Sequence, residues 1–213
     1  MITRRICGIL VMVVLLATAA MAATEEAKNW VIDAGVYYPT SGDTRDGLGS
    51  TWLAIDVGYK VAETATSQQI VDIGWINAKG KTHAIGPDEL EGLEAATLKT
   101  KAKAYPLRYT YLAKPSGEAG SKMYYGAGGG VYFIKAKLSG SITPEGEDAV
   151  PYSFSDSLTK FGVHVCVGAN LAENLTAELR YTHVFGDAKF KVQNVELGEA
   201  NIRGVSLMIG GRF

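Results

Sequence analysis

From about residue 29 to the end of the chain, apolar and polar side chains alternate in one stretch after another, the period-two signature of strands whose faces meet different surroundings. The pattern predicts eight strands, at roughly 29–38, 51–61, 69–79, 97–113, 122–138, 157–171, 175–191 and 201–213. In the second, Leu53, Ile55, Val57 and Tyr59 share one face against Asp56, Gly58 and Lys60. In the sixth, Phe161, Val163, Val165 and Val167 oppose Gly162, His164, Cys166 and Gly168; in the seventh, Leu179, Tyr181 and Phe185 oppose Glu178, Arg180 and Thr182. Eight strands suffice to close a small barrel and so remove both unpaired edges.

The connections alternate too. Segments 39–50, 80–96, 139–156 and 192–200 are long and rich in turn residues, whereas the others are shorter, Ala172-Glu173-Asn174 being the tightest. Long loops at one end and short turns at the other predict an all-β fold, an eight-stranded antiparallel up-and-down transmembrane β-barrel with long loops outside the cell. A soluble barrel around a ligand would show the same alternation with its faces exchanged. Two features favour the membrane barrel: the glycines sit with the charges, as a narrow interior requires, and aromatics recur near strand ends, among them Trp30, Tyr38, Tyr59, Trp75, Tyr105 and Tyr111.

The N-terminus changes the picture in one respect. Arg4 and Arg5 precede an apolar run from Ile6 to Leu16 and then Ala20-Met21-Ala22, a secretory signal with cleavage expected after Ala22. The run is shorter than the ~20 residues of a spanning helix, and no later stretch is apolar enough for one. Residues 1–22 are therefore expected to be a signal peptide, and 23–213 one barrel domain without a linker. Loss of Cys7 leaves Cys166 alone, so no intrachain disulfide is expected. With 22 acidic and 21 basic residues in the 213-residue chain, there is no basic footprint for nucleic acid.

The last strand, Val205-Ser206-Leu207-Met208-Ile209-Gly210-Gly211-Arg212-Phe213, resembles the C-terminal signal that outer-membrane barrels present to the barrel assembly machinery, with Val205, Leu207, Ile209 and Phe213 as its readable positions. The stretches Ala34-Gly35-Val36-Tyr37-Tyr38-Pro39, Tyr124-Tyr125-Gly126-Ala127-Gly128-Gly129-Gly130-Val131-Tyr132 and Glu173-Asn174-Leu175-Thr176-Ala177-Glu178-Leu179-Arg180-Tyr181 resemble the eight-stranded outer-membrane barrel family of OmpA-like and OmpX-like proteins. The resemblance implies the outer membrane of a Gram-negative-type cell envelope. Members share no catalytic motif, and with the chain ending at Phe213 no appended peptidoglycan-binding domain is expected.

On the face read as interior lie Asp33, Asp56, Asp72 and Glu178 with Lys60, Arg108, Lys160, Arg180 and Arg212. Such groups must pair or be hydrated; a salt-bridged plug is expected, with an ion pathway as the alternative. His164 and Cys166 share a face, but nothing beside them completes a metal site or a nucleophile, and neither His83 nor His183 has a Ser and an acid arranged for acyl chemistry. No metal, cofactor or catalytic residue is expected. The glycines at Gly126 and Gly128-Gly130 lie inside a strand, so they are packing positions and not a phosphate loop.

A set of lysines stands at the outer strand ends. Lys79 and Lys81 continue the parity of Ile73 and Trp75; Lys99, Lys101 and Lys103 that of Tyr105; Lys135 and Lys137 that of Phe133; Lys189 and Lys191 that of Phe185. In the fifth strand the parity is ambiguous, because Tyr132 and Ile134 could equally face lipid. Above an apolar band such a collar could contact phosphates of outer-leaflet lipopolysaccharide, Lys acting as a point charge, or simply be solvated. The overall expectation is a monomer with a structural or surface-interaction role, adhesion or envelope maintenance, meeting a surface ligand through its external loops. The alternatives are a narrow pore for small solutes and a lipid-modifying barrel enzyme.

Overall fold

The computed structural model describes residues 29–85, 93–115, 122–186, 188–192 and 195–213; the expected signal peptide lies outside the described residues. Strands β1 (Trp30–Pro39), β2 (Trp52–Glu63), β3 (Ser67–Ile85), β4 (Leu93–Ala113), β5 (Met123–Pro144), β6 (Val150–Ala172), β7 (Leu175–Val184) and β10 (Arg203–Arg212) form a closed barrel in the order β1-β10-β7-β6-β5-β4-β3-β2. A separate hairpin, β8 (Ala188–Val192) and β9 (Val195–Ala200), sits between β7 and β10, and a seven-residue helix, α1 (Gly42–Leu48), between β1 and β2. All ladders are antiparallel. The ring closes where β1 meets β10, from Val31 opposite Arg212 to Pro39 opposite Gly204, with Trp30 and Phe213 exchanging two 2.9 Å backbone hydrogen bonds at the end.

Strand lengths divide the barrel into two halves. β1, β7 and β10 have 10 residues and β2 has 12, close to the 9–11 that a tilted strand needs to cross a bilayer. β4, β5 and β6 have 21, 22 and 23. Much of what reads as loop at 80–96 and 139–156 is therefore paired strand: Ser139, Gly140 and Ser141 of β5 lie opposite Lys99, Leu98 and Thr97 of β4 and opposite Ser153, Tyr152 and Pro151 of β6. The seventh strand is shorter than its alternation suggests. It stops at Val184, and Gly186 at φ 70 redirects the chain into the β8–β9 hairpin, so Lys189 and Lys191 do not continue β7. Between β3 and β4 the ladder skips from Ile73–Leu107 to Ile76–Ala104, because Pro106 has no N–H to give β3.

Parity assigns the faces as expected. Ile73, Val165 and Phe161 point outward and are 58%, 55% and 70% exposed, while Asp56, Asp72, Arg108, Glu178 and Arg180 point inward and are buried. The fifth strand resolves in favour of the lysines: Tyr132 and Ile134 are buried in the lumen, and Phe133, Lys135 and Lys137 face out. Glycines make room inside; a Cβ on Gly128 would lie 2.7 Å from the His164 ring.

The lumen is not uniformly polar, which corrects the simple reading of small and charged residues within. Above the charges is an apolar cluster including Tyr37, Trp52, Ile76, Tyr132, Ile134, Val184 and Met208, and below them a smaller one of Val31, Ile70, Leu112, Tyr124 and Cys166. The upper cluster is capped by α1, a helix in a segment that reads as plain loop. Leu48 is buried in it, the Trp52 indole N–H donates to the carbonyls of Leu48 (3.1 Å) and Gly49 (2.8 Å), and Trp52 stacks on Tyr37 at 5.3 Å. Thr44 Oγ1 accepts the Asn201 N–H at 3.0 Å, tying the helix to the start of the last strand. Gly49, at φ 80, ends the helix in a conformation that side chains rarely adopt.

Candidate functional site

The inward polar groups of five strands meet at one level. Arg108 on β4 bonds Asp72 on β3, its Nε donating at 2.7 Å, and pairs with Asp56 on β2 at 2.6 Å. The same Asp56 accepts from Arg180 on β7 at 3.0 Å; Arg180 also pairs with Glu178 at 2.7 Å; and the Tyr124 hydroxyl on β5 donates to Glu178 at 3.3 Å. The result is a continuous bar, Asp72–Arg108–Asp56–Arg180–Glu178–Tyr124, crossing the lumen. Each charge is nearly stripped of water, and each carboxylate has a guanidinium beside it, the condition under which ions tolerate burial. The bar spans the lumen from β3 to β5.

Asp33, expected in this network, faces the lumen in a small cavity shared with Glu178, Arg180 and Arg212, but among the described residues it makes no ion pair within the bar. Lys60, on the same parity, makes no ion pair within the bar either. It turns to Glu63 at the end of β2, where Gln68 and Lys114 also bind that carboxylate, Lys114 at 3.0 Å. Partial burial pushes the Glu63 carboxyl up, yet the hydrogen bonds from Lys60, Gln68 and Lys114 outweigh it and hold the group down at about 2. His164 and Cys166 share the lumen face. The His164 ring Nε2 is hydrogen-bonded to Thr110 at 2.8 Å, and Cys166 packs in the lower apolar cluster. His183 lies on the outer parity with its ring 5.1 Å from Phe185; the side chain of His83 lies outside the described residues.

On the outer wall the register does something that the linear sequence conceals. Lys103 stands directly opposite Lys135; Lys101 stands between Lys79 on one side and Lys137 on the other; Lys99 lies opposite Ser139. All six lysines are exposed, and among the described residues none is paired with a carboxylate. On β6 the next positions are Ser157 beside Lys135, Ser155 beside Lys137 and Ser153 beside Ser139. Sequence reasoning missed this serine column; its signal is the alternation of Ser153, Ser155 and Ser157. Lys81 falls in the irregularity between Lys79 and Thr82, and its side chain lies outside the described residues.

Beneath the lysines the belt is aromatic and aliphatic. Tyr105 and Phe133 form the next row down, and exposed Leu107, Tyr109, Val163 and Val165 continue it toward a lower girdle at Trp30, Tyr59 and Tyr111. Trp75, expected at a strand end, is half-buried in the middle of β3. Val205, Leu207 and Ile209 lie opposite Tyr38, Val36 and Ala34 on this outer face. A closed ring that shows apolar side chains outward and seals its charges inside is built to satisfy its backbone in lipid. The chain folds as an eight-stranded β-barrel of the membrane-spanning kind.

No family model matches this barrel's sequence, and no curated protein is significantly similar to it. Solved structures are similar to it in fold. Ail, the attachment invasion locus protein of Yersinia pestis, is 14% identical with a TM-score of 0.46, covering 86% of this chain and 95% of its own. Neisserial surface protein A is 17% identical with a TM-score of 0.42, covering 86% and 96%. A major outer membrane protein from Thermus thermophilus is 15% identical with a TM-score of 0.45, covering 87% and 99%.

Proposed function

We propose that the barrel is a sealed anchor that raises a β-sheet platform above the outer membrane for interaction at the cell surface, in adhesion or in envelope maintenance. The observation that carries this reading is the length of β4, β5 and β6, at 21 to 23 residues about twice a membrane crossing. Some ten extra residues at ~3.3 Å each lift the tips roughly 30 Å along the strands. The extension is a paired sheet, held by continuous ladders from Tyr105–Phe133 up to Ala95–Thr143. Its β5–β6 tip carries Glu145, Glu147 and Asp148 around a turn with Gly146 at φ 75, all four exposed. The bar across the lumen argues against the pore reading.

The test removes the platform and keeps the barrel. Replacing residues 139–153 by an Asn-Gly turn joins Leu138 to its partner Phe154. The shortened protein is expected to retain heat-dependent gel mobility in the outer-membrane fraction, while cells lose several-fold in attachment to protein-coated surfaces or in resistance to bile salts. Both properties at the level of the intact protein would overturn the reading, as would steady conductance of the intact protein in planar bilayers.

A further inference from the structure

We propose that the lysine wall of β3, β4 and β5 is a docking surface for a phosphorylated glycolipid of the outer leaflet, lipopolysaccharide, engaging its phosphates at more than one height. Like charges directly opposite each other across a sheet destabilise it. Here Lys101 has a lysine on either side and Lys103 faces Lys135, with the side chains of each pair ~5 Å apart at Cβ. Among the described residues no carboxylate relieves them. An arrangement that costs stability in the isolated chain is relieved by counter-charge from outside it.

Position decides which counter-charge. The lowest pair, Lys103 and Lys135, lies two residues above Tyr105 and Phe133, the upper edge of the apolar belt. At ~3.3 Å per residue that is about 7 Å up the strand, the depth of lipid headgroups. The next row, Lys79, Lys101 and Lys137, is another such step higher, and Lys99 one step above that. A glycerophospholipid offers phosphate at one depth. A glycolipid whose sugar headgroup is phosphorylated at several positions offers it over the ~14 Å that these rows span. The serine column beside the wall supplies hydroxyls for the sugar and phosphate oxygens. The wall is one-sided, occupying three of the eight strands, so one flank of the barrel holds the lipid. This inference stands whether or not the extension is an adhesive platform.

The test reconstitutes the whole mature barrel in nanodiscs with deep-rough lipopolysaccharide carrying its phosphates, or with the same lipid after phosphatase treatment, and counts lipid retained per barrel after detergent washing. The intact protein is expected to retain the phosphorylated lipid at least tenfold better, and to keep it in EDTA because lysine replaces bridging divalent cations. Gln at Lys101, Lys103, Lys135 and Lys137 together should abolish the preference, and Arg at the same four positions should preserve it. Equal retention of the dephosphorylated lipid by the intact protein, loss of retention in EDTA, or an unchanged preference in the Gln variant would overturn the proposal. So would tighter capture of soluble heparin than of lipopolysaccharide, which would give the wall to a soluble polyanion.

Discussion

Inside the barrel Arg108 touches Asp56 and Asp72, and Arg180 touches Asp56 and Glu178; outside it Lys101 faces Lys79 across one ladder and Lys137 across the other. Both arrangements are built from inward- or outward-parity residues of neighbouring strands, and they treat charge in opposite ways. In the lumen the groups have lost their water, so along the bar the signs alternate and Asp56, Asp72 and Glu178 each meet a guanidinium. On the outer wall water still reaches the lysines, so the same sign can recur across three strands at a modest cost. The contrast separates a charge set that serves the protein's own integrity from one that is completed by something else.

The largest break in this comparison comes from Arg108. Replacing it with Met leaves Asp56 and Asp72 short of a counter-ion in the lumen, and the loss is expected to be about 3–5 kcal/mol, as for other uncompensated buried charges. The temperature at which the barrel loses its fast gel mobility should fall sharply, and adding Asp56→Asn and Asp72→Asn should restore most of it. If Arg108→Met migrates and melts like the parent, the bar is not a structural seal.

Lys101→Glu sharpens the other side. A carboxylate between Lys79 and Lys137 replaces two repulsions with two attractions, so stability in zwitterionic detergent should rise by ~0.2–1 kcal/mol while lipopolysaccharide retention falls. Stability and lipid retention moving together would mean that the wall is no different in kind from the bar.

The smallest effect belongs to Glu63, an exposed carboxylate that has found its own cations. Its folded value of about 2 lies below the usual 4.5, so its contribution is fully present above 4.5 and is lost as pH falls through about 2. Denaturant titration should show a difference of under ~1 kcal/mol between the parent and Glu63→Gln near neutrality, shrinking across that window, because water screens an exposed pair. A difference that persists at pH 2 would show that the carboxylate's charge is not its source.

What could be read from the amino-acid order follows the membrane. Where a strand crosses lipid, one face must be apolar, and Leu53, Ile55, Val57 and Tyr59 announce it. Above the lipid that requirement lapses. Ser139-Gly140-Ser141 and Ser153 to Ser157 have loop-like composition and are strands because their neighbours pair with them. The lumen charges were assignable to a face by parity, but not to partners. Asp56 meets Arg108 and Arg180 through a register that no local pattern encodes, and Asp33 has the right parity yet makes no ion pair within the bar. Helix α1 gave almost no signal; Leu48 alone among polar neighbours hints that the segment between β1 and β2 turns inward.

The seam between β1 and β10 has a consequence in time. Val31 pairs with Arg212 and Trp30 with Phe213, the most distant partners in sequence among the described residues, while every other wall of the barrel joins consecutive strands or, at β7–β10, spans one small hairpin. Local hairpins can therefore zip early, but the seam must await the last strand and pays the largest loop-closure entropy. Until it forms, β1 and β10 each present a row of unmet backbone groups to a solvent that cannot satisfy them. Insertion is then a single concerted commitment, and the slowest event in the life of this barrel is expected to be the meeting of its two ends.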